Sequence, residues 1–283
     1  MRKRFPRMAV ALLGCVAVLA SLTACGASSS GAASAATSVG VEKAGTLKIG
    51  TSSNEKPYVY LENGQLTGFE IDLITAAAAK IGLTPEFVTM DFSALLPAVN
   101  NRQFDVAAAA IGITAPRQKT VTFSNGYLAG FFGVLTPSSS GITKDVATVK
   151  GKKIAVLQGS IEDNNSDKFI PGAQIVRFPD QNSAELALAS HRIDGFFNDF
   201  DPNLSIVAKY PALNLTQPIT LPATAFPAGW AVKKGNTTLT DKLNGALTQV
   251  VQDGTWLTLY KKYFPQDPIP ASNQLPPYKV AAS

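Results

Sequence analysis

The sequence predicts two α/β lobes with mainly parallel sheets, built one after the other along the chain. Two observations carry this. A strand–helix–strand–helix–strand order runs from Leu47 to Ala109 and returns from Ile154 to Phe197. The approaches to the third strand also look alike: Ser93-Ala94-Leu95-Leu96 leads to Phe104-Asp105, and Ser183-Ala184-Glu185-Leu186 leads to Ile193-Asp194. Two such units in succession imply two layered lobes, each crossover right-handed. Composition agrees: 46% apolar and 16% charged residues in 283 exclude a disordered chain. The length suits one large domain or two smaller ones with separate cores.

In the first unit, Leu47-Lys48-Ile49-Gly50-Thr51 alternates as a strand does. Glu62-Asn63-Gly64-Gln65 supplies a turn after Tyr58-Val59-Tyr60. Phe69 to Ile81 carries apolar residues at helical spacing and stops at Gly82. Phe87 to Met90 is a strand, Ser93 caps a helix to Asn101, and Val106 to Ala109 is a strand. In the second unit, Ile154 to Leu157 is a strand and Ser160 opens a helix. Gln174 to Phe178 is the next strand, Ser183 opens a helix through Ser190, and Gly195 to Phe197 is the third strand.

In open α/β sheets, ligands bind outside the carboxyl ends of the strands. Those ends carry Ser52 to Glu55, Asp91 and Phe92, Ala110 to Thr114, Leu157 to Ser160, and Asn198 and Asp199. If the lobes face each other, all five groups line one cleft. Arg117 follows Thr114-Ala115-Pro116, and its planar guanidinium can hold a carboxylate with two parallel hydrogen bonds. Gly112 lets a ligand approach the backbone and keeps its N–H available. The Gly159-Ser160-Ile161 turn, opening a helix, offers further free N–H groups to an anion. Asp199 can accept from a ligand ammonium. Each also has a plainer role: Arg117 as a solvated surface charge, Asp199 as a helix cap.

The formal net charge of +5 rests mostly on Arg2, Lys3, Arg4 and Arg7; without them the balance is 21 basic to 20 acidic residues. A nucleic-acid partner is therefore not expected, because it needs a basic face on the folded part. The apolar run from Met8 to Leu22 is shorter than the roughly 20 residues of a bilayer span and reads as a secretion signal over 1–24. Leu22-Thr23-Ala24-Cys25 resembles the lipobox of bacterial lipoproteins. That resemblance implies lipidation of Cys25, a lipid-anchored protein on the outer, extracytoplasmic face of the cell membrane, and a tether over 25–44. An ordinary signal with Cys25 as a spare thiol is the alternative. With Cys15 inside the leader, no thiol is left for a disulfide, a metal site or a nucleophile. No cofactor and no metal are expected.

Several runs together resemble a known family. They are Gly68-Phe69-Glu70-Ile71-Asp72-Leu73, Met90 to Ala98, Gly112-Ile113-Thr114 with Arg117, Thr122 to Tyr127, Lys152 to Ser160, and Asp253-Gly254-Thr255 before Tyr260 to Phe264. The chain is similar, over 45 to 264, to the polar amino-acid solute-binding proteins of ABC importers. The resemblance implies a type II periplasmic-binding-protein-like fold, with two lobes joined by a two-strand hinge. The crossings would lie near Ala129 to Leu135 and Pro222 to Trp230. Lobe 1 would span 45–130 plus 223–264, lobe 2 131–222, and a Pro-rich irregular tail 265–283.

The implied site takes the ligand α-carboxylate on Arg117 and the α-ammonium on Asp199, with Phe92 as an apolar wall. Ser160 and Ile161 begin the helix facing the carboxylate, and Ala110, Gly112 and Leu157 complete the lining. Gly112 stands where Ser or Thr is usual, Ile161 where Thr or Gly is common, Ser52 where Asp is common, and Glu55 where an aromatic commonly packs. Glu55 and Glu162 would make the side-chain pocket favour a cation or an amide donor, or both are exposed loop acids. The implied partners are an amino-acid ligand and a membrane permease with its ATPase, with the chain a monomer. The implied role is non-enzymatic. The alternative is a secreted enzyme resembling cyclohexadienyl dehydratases, with Glu55 or Glu162 as the acid.

Overall fold

The computed structural model describes residues 39–223 and 226–280. The expected leader, Cys25 and most of the tether lie outside the described residues. Among those described, no helix is long and apolar enough to cross a membrane.

The first lobe is built on a five-stranded sheet. Its strands are β1 (Thr46–Thr51), β5 (Thr84–Thr89), β6 (Val106–Ala107), β7 (Val121–Phe123) and β13 (Ala231–Lys233), in the order β5-β1-β6-β13-β7. β1 runs parallel to both β5 and β6, and β13 is antiparallel to β6 and β7. A small antiparallel sheet of β2 (Asn54–Glu55), β3 (Val59–Glu62) and β4 (Gln65–Thr67) sits beside it. The β3–β4 turn uses Asn63 and Gly64 at φ 52° and 76°, the left-handed pair that a two-residue hairpin demands.

Helix α1 (Phe69–Lys80) follows Gly68, whose φ of 128° and close approach to the Tyr58 carbonyl leave no room for a Cβ. It buries Phe69, Glu70, Leu73, Ile74 and Ala77 against β1 and the C-terminal helices α8 (Thr237–Gln252) and α9 (Thr255–Tyr263). α2 (Phe92–Asn100) crosses the other face and packs Leu95, Ala98 and Val99 into a second core. It starts one residue before Ser93. Asp91 occupies the cap position in an extended conformation, and no side-chain cap bond forms. α3 (Ala115–Thr120) is a short helix whose cap, Thr114, accepts from the Arg117 N–H.

The second lobe repeats the layout. Its strands are β8 (Phe131–Pro137), β9 (Lys153–Leu157), β10 (Gln174–Phe178), β11 (Gly195–Asp199) and β12 (Leu215–Pro222), in the order β10-β9-β11-β8-β12. β9 pairs parallel with β10 and β11, and β8 pairs antiparallel with β11 and β12. α4 (Ile161–Asn164) and α5 (Ser166–Phe169) are single turns after β9, and Ser160 caps α4 as expected. α6 (Gln181–Ala189) starts before Ser183, because Asp180 takes the cap and accepts both the Ser183 N–H and its hydroxyl. α7 (Phe200–Lys209) follows β11 directly.

The chain passes from β7 to β8 through 124–130 and returns from β12 to β13 through 223–230. The two passages touch, with Leu128 paired to Ala228 and Gly112 to Ala228. The segment after residue 264 is irregular, as expected, yet it is not loose. Tyr278 exchanges backbone hydrogen bonds of 2.8 Å with Gly126, and Leu275 and Val280 pack on the two cores of the first lobe.

Candidate functional site

The carboxyl ends of both sheets open on one cavity between the lobes. It is partly continuous with solvent and lined from both sides. Phe92, Ala110, Gly112, Arg117 and Glu55 line it from the first lobe. Leu157, Ser160, Ile161, Glu162 and Asp199 line it from the second. Ser52 does not join them. It lines an adjoining crevice, which shares Glu55, Phe92 and Leu157 with the main cavity. There its buried hydroxyl oxygen has no partner.

Arg117 is held by α3 with its guanidinium turned inward, not out to solvent. Nη1 donates to the Gly112 carbonyl at 2.7 Å and Nη2 to the Gly159 carbonyl at 2.9 Å. The guanidinium also lies 5.5 Å from the Phe92 ring centre. Two of its five N–H donors are thus engaged, and three remain. Asp199 stands at the cap position of α7 but makes no side-chain cap bond, so its carboxyl faces the cavity. Among the described residues no ion pair joins Arg117 to a cleft acid. A guanidinium and a carboxyl from opposite lobes therefore face one cavity without forming an ion pair.

The amide cradle expected at Gly159-Ser160-Ile161 is smaller in the structure. The Gly159 N–H goes to the Asp163 carboxylate at 3.0 Å, and the Ser160 N–H to the Leu157 carbonyl at 3.0 Å. Ser160 Oγ accepts from the Asp163 N–H. α4 is one turn long, so its dipole adds little. The open space expected at Gly112 is filled from the opposite lobe: a Cβ there would meet Ile161 Cδ1 at 2.3 Å. Gly112 thus lets the lobes approach each other.

Burial dominates the electrostatics. Glu55 and Glu162 are 7% and 5% exposed, so neither is an exposed loop acid. Burial, then Glu162 and Glu70, pushes the Glu55 carboxyl up to about 8. Burial likewise raises Glu162, against its own backbone N–H, the Ser160 hydroxyl and Arg117. Asp199 lies well above the usual carboxylate range through burial, then Glu162, Glu55 and Asp201. Burial lowers Arg117 to about 10. Three acids share one guanidinium.

Two supports had no place among the expected site residues. Glu70, fully buried, accepts from the Ala110 N–H at 2.9 Å, from Trp230 Nε1 at 2.7 Å and from the Tyr127 hydroxyl. It fixes Ala110 at φ 46°, a left-handed conformation that a non-glycine residue adopts only under constraint. The signal was an acid in an apolar stripe, since Glu70, Ile74 and Ala77 share one face of α1. The second support crosses the cleft: the Tyr58 hydroxyl donates to Asp201 Oδ2 at 3.2 Å, and Asn54 Nδ2 to Asp180 Oδ1 at 3.4 Å. No local pattern marks these pairs.

A profile of bacterial extracellular solute-binding proteins, family 3, matches residues 47–266. The chain belongs to that family. It is a type II periplasmic-binding-protein fold, and its cavity is the place where such a protein encloses its solute. The arginine-binding extracellular protein of Bacillus subtilis is 30% identical over 255 residues, covering 89% of this chain and 96% of its own. Two solved structures are 33% identical and cover 78% of this chain. One is an ancestral arginine-binding protein bound to arginine, at TM-score 0.74 and 98% of its own length. The other is an ancestral arginine-binding protein bound to glutamine, at TM-score 0.73 and 99% of its own length.

Proposed function

We propose that this solute-binding protein captures a free amino acid by its zwitterionic head, Arg117 taking the α-carboxylate and Asp199 the α-ammonium, and hands it to an ABC permease and its ATPase. The observation that carries this is the pair itself: a guanidinium and a carboxyl from opposite lobes, facing one cavity without an ion pair between them. Arginine and glutamine, each bound in a similar ancestral arginine-binding protein, share the zwitterionic head and differ beyond it. Replacing the water around two opposite charges with fixed partners favours a ligand bearing both. A ligand lacking either leaves a buried group unpaired, at about 1–3 kcal/mol or more.

On this reading Phe92, Leu157 and Ile161 form apolar walls, the Ile161 N–H and the free Arg117 donors share the carboxylate, and Ala110 and Ser160 shape the backbone around it. The lobes are 45–130 with 223–264, and 131–222; Ala129 to Leu135 and Pro222 to Trp230 hold the hinge. The monomeric chain would be secreted by its 1–24 leader and anchored through lipid on Cys25.

A thermal-shift screen against the common amino acids tests the reading. Stabilisation follows RT ln(1 + [L]/Kd), about 2.7 kcal/mol at a hundredfold excess over Kd. No upward shift with any of them would sink it. The dehydratase alternative needs Glu55 or Glu162 as its acid, and product from prephenate or arogenate would be its evidence.

A further inference from the structure

The charge count of the cleft is unbalanced in one direction. Glu55, Glu162 and Asp199 face Arg117 alone, and a zwitterion adds one charge of each sign, leaving the imbalance as it was. Glu55 has a particular position. It is 93% removed from solvent by its 7% exposure, and among the described residues no hydrogen bond reaches its carboxyl. It also lines both the main cavity and the crevice that holds the unpartnered Ser52 hydroxyl. A side chain growing from a zwitterion held at Arg117 and Asp199 would leave the main cavity past Glu55, between Phe92 and Leu157. A buried carboxyl with no donor, placed at that junction, is a receptor for a donor that the ligand brings.

We propose that Glu55 and the crevice beside it form a second cation subsite, which selects amino acids with a positively charged side chain and releases a proton to solvent as the cation arrives. The inference rests on the zwitterion reading of the same cavity. Every group that faces Glu55 points the same way. Glu162, Asp199 and Glu70 repel its charge, the Tyr58 phenol offers none, and Arg117 is drawn instead toward Glu162 and Asp199. The empty cleft therefore holds Glu55 as the neutral acid near pH 7, consistent with its rise to about 8. The exchange balances: the carboxylic acid O–H breaks, the proton passes to water or buffer, and the carboxylate left behind pairs with the ligand's ammonium or guanidinium. The Glu55 carboxylate is therefore never left without a cation.

Asp199 and Glu162, whose carboxyls burial also raises, meet the zwitterionic head that every amino acid brings. Comparing a cationic ligand with its neutral isostere cancels them. Isothermal titration calorimetry of arginine against citrulline, at pH 7 in two buffers of different ionisation heat, reads the difference directly. Arginine should release about 0.9 proton more than citrulline, the neutral fraction of a group near 8, and bind about tenfold to a hundredfold tighter. Glu55→Gln should abolish both differences while glutamine still binds. Equal affinities and equal proton counts for arginine and citrulline overturn the proposal and leave the zwitterion reading standing. Loss of binding by arginine, citrulline and glutamine alike, in the wild-type protein, overturns both. Should Glu55→Gln melt below the assay temperature, the wild-type comparison alone decides.

Discussion

The Arg117 guanidinium in the first lobe donates through Nη2 to the Gly159 carbonyl in the second, at 2.9 Å, while Nη1 holds the Gly112 carbonyl of its own lobe at 2.7 Å. One side chain thus touches both walls of the cleft and still has donors to spare. Arg117→Ala should remove amino-acid binding below detection by calorimetry, and Asp199→Asn should do the same by withdrawing the acceptor for the ammonium. Neither change disturbs a packed core, so the unliganded melting temperature should fall by no more than about 3 °C. Near-native affinity in both variants would remove these roles.

Glu70 is the buried knot of the first lobe. Its carboxyl gathers Ala110 beside the cavity, Tyr127 before the first crossing and Trp230 after the second. In Glu70→Gln one acceptor oxygen becomes a donor that faces other donors. That should cost about 3 kcal/mol, or about 5–10 °C in melting temperature for a domain of this size. Because Ala110 loses its clamp, ligand affinity should fall as well. An unchanged melt would mean that the network is not needed.

The C-terminal segment seals the same region from outside. Tyr278 pairs with Gly126 through two backbone bonds of 2.8 Å, and the Leu275 and Val280 side chains cover the cores beneath. Deleting 268–283 should destabilise the protein by about 2 kcal/mol, seen as an earlier urea midpoint. A midpoint equal to that of the full chain would show the segment to be a passive end.

The division into two lobes was legible because strand and helix periods repeat and because parallel units need helices between strands. β10 has the expected bounds, and α1 differs by one residue at its end. Two helix starts were not legible. Ser93 and Ser183 are good caps by type, but Asp91 and Asp180 come earlier in extended backbone, and the helix begins at the first residue able to turn. In the cleft, Arg117 and Asp199 could be placed from strand ends alone. Whether Glu55 and Glu162 turn inward depends on how the lobes meet, which no local pattern encodes. The Tyr58–Asp201 and Asn54–Asp180 bonds join residues 143 and 126 positions apart, so they are products of closure.

Burial of Asp201 where the lobes meet makes closure depend on pH. Burial, then Asp267, raises the Asp201 carboxyl to about 7, and the Tyr58 hydrogen bond restrains the rise. With the lobes apart, Asp201 would return toward the ordinary value near 3.9. The closed form then binds more protons than the open one, so closure is favoured at low pH and weakens as pH rises from about 4 through about 7. Glu55, raised to about 8, extends that loss upward in the empty protein. The ligand-free radius of gyration from small-angle scattering should therefore grow between pH 5 and 9. Asp201→Asn should flatten the lower part of the change and leave the part near pH 8. Tyr58→Phe withdraws the donor that restrains Asp201 and should move the lower transition to higher pH. A radius that shrinks as pH rises would reverse the sign and refute the assignment.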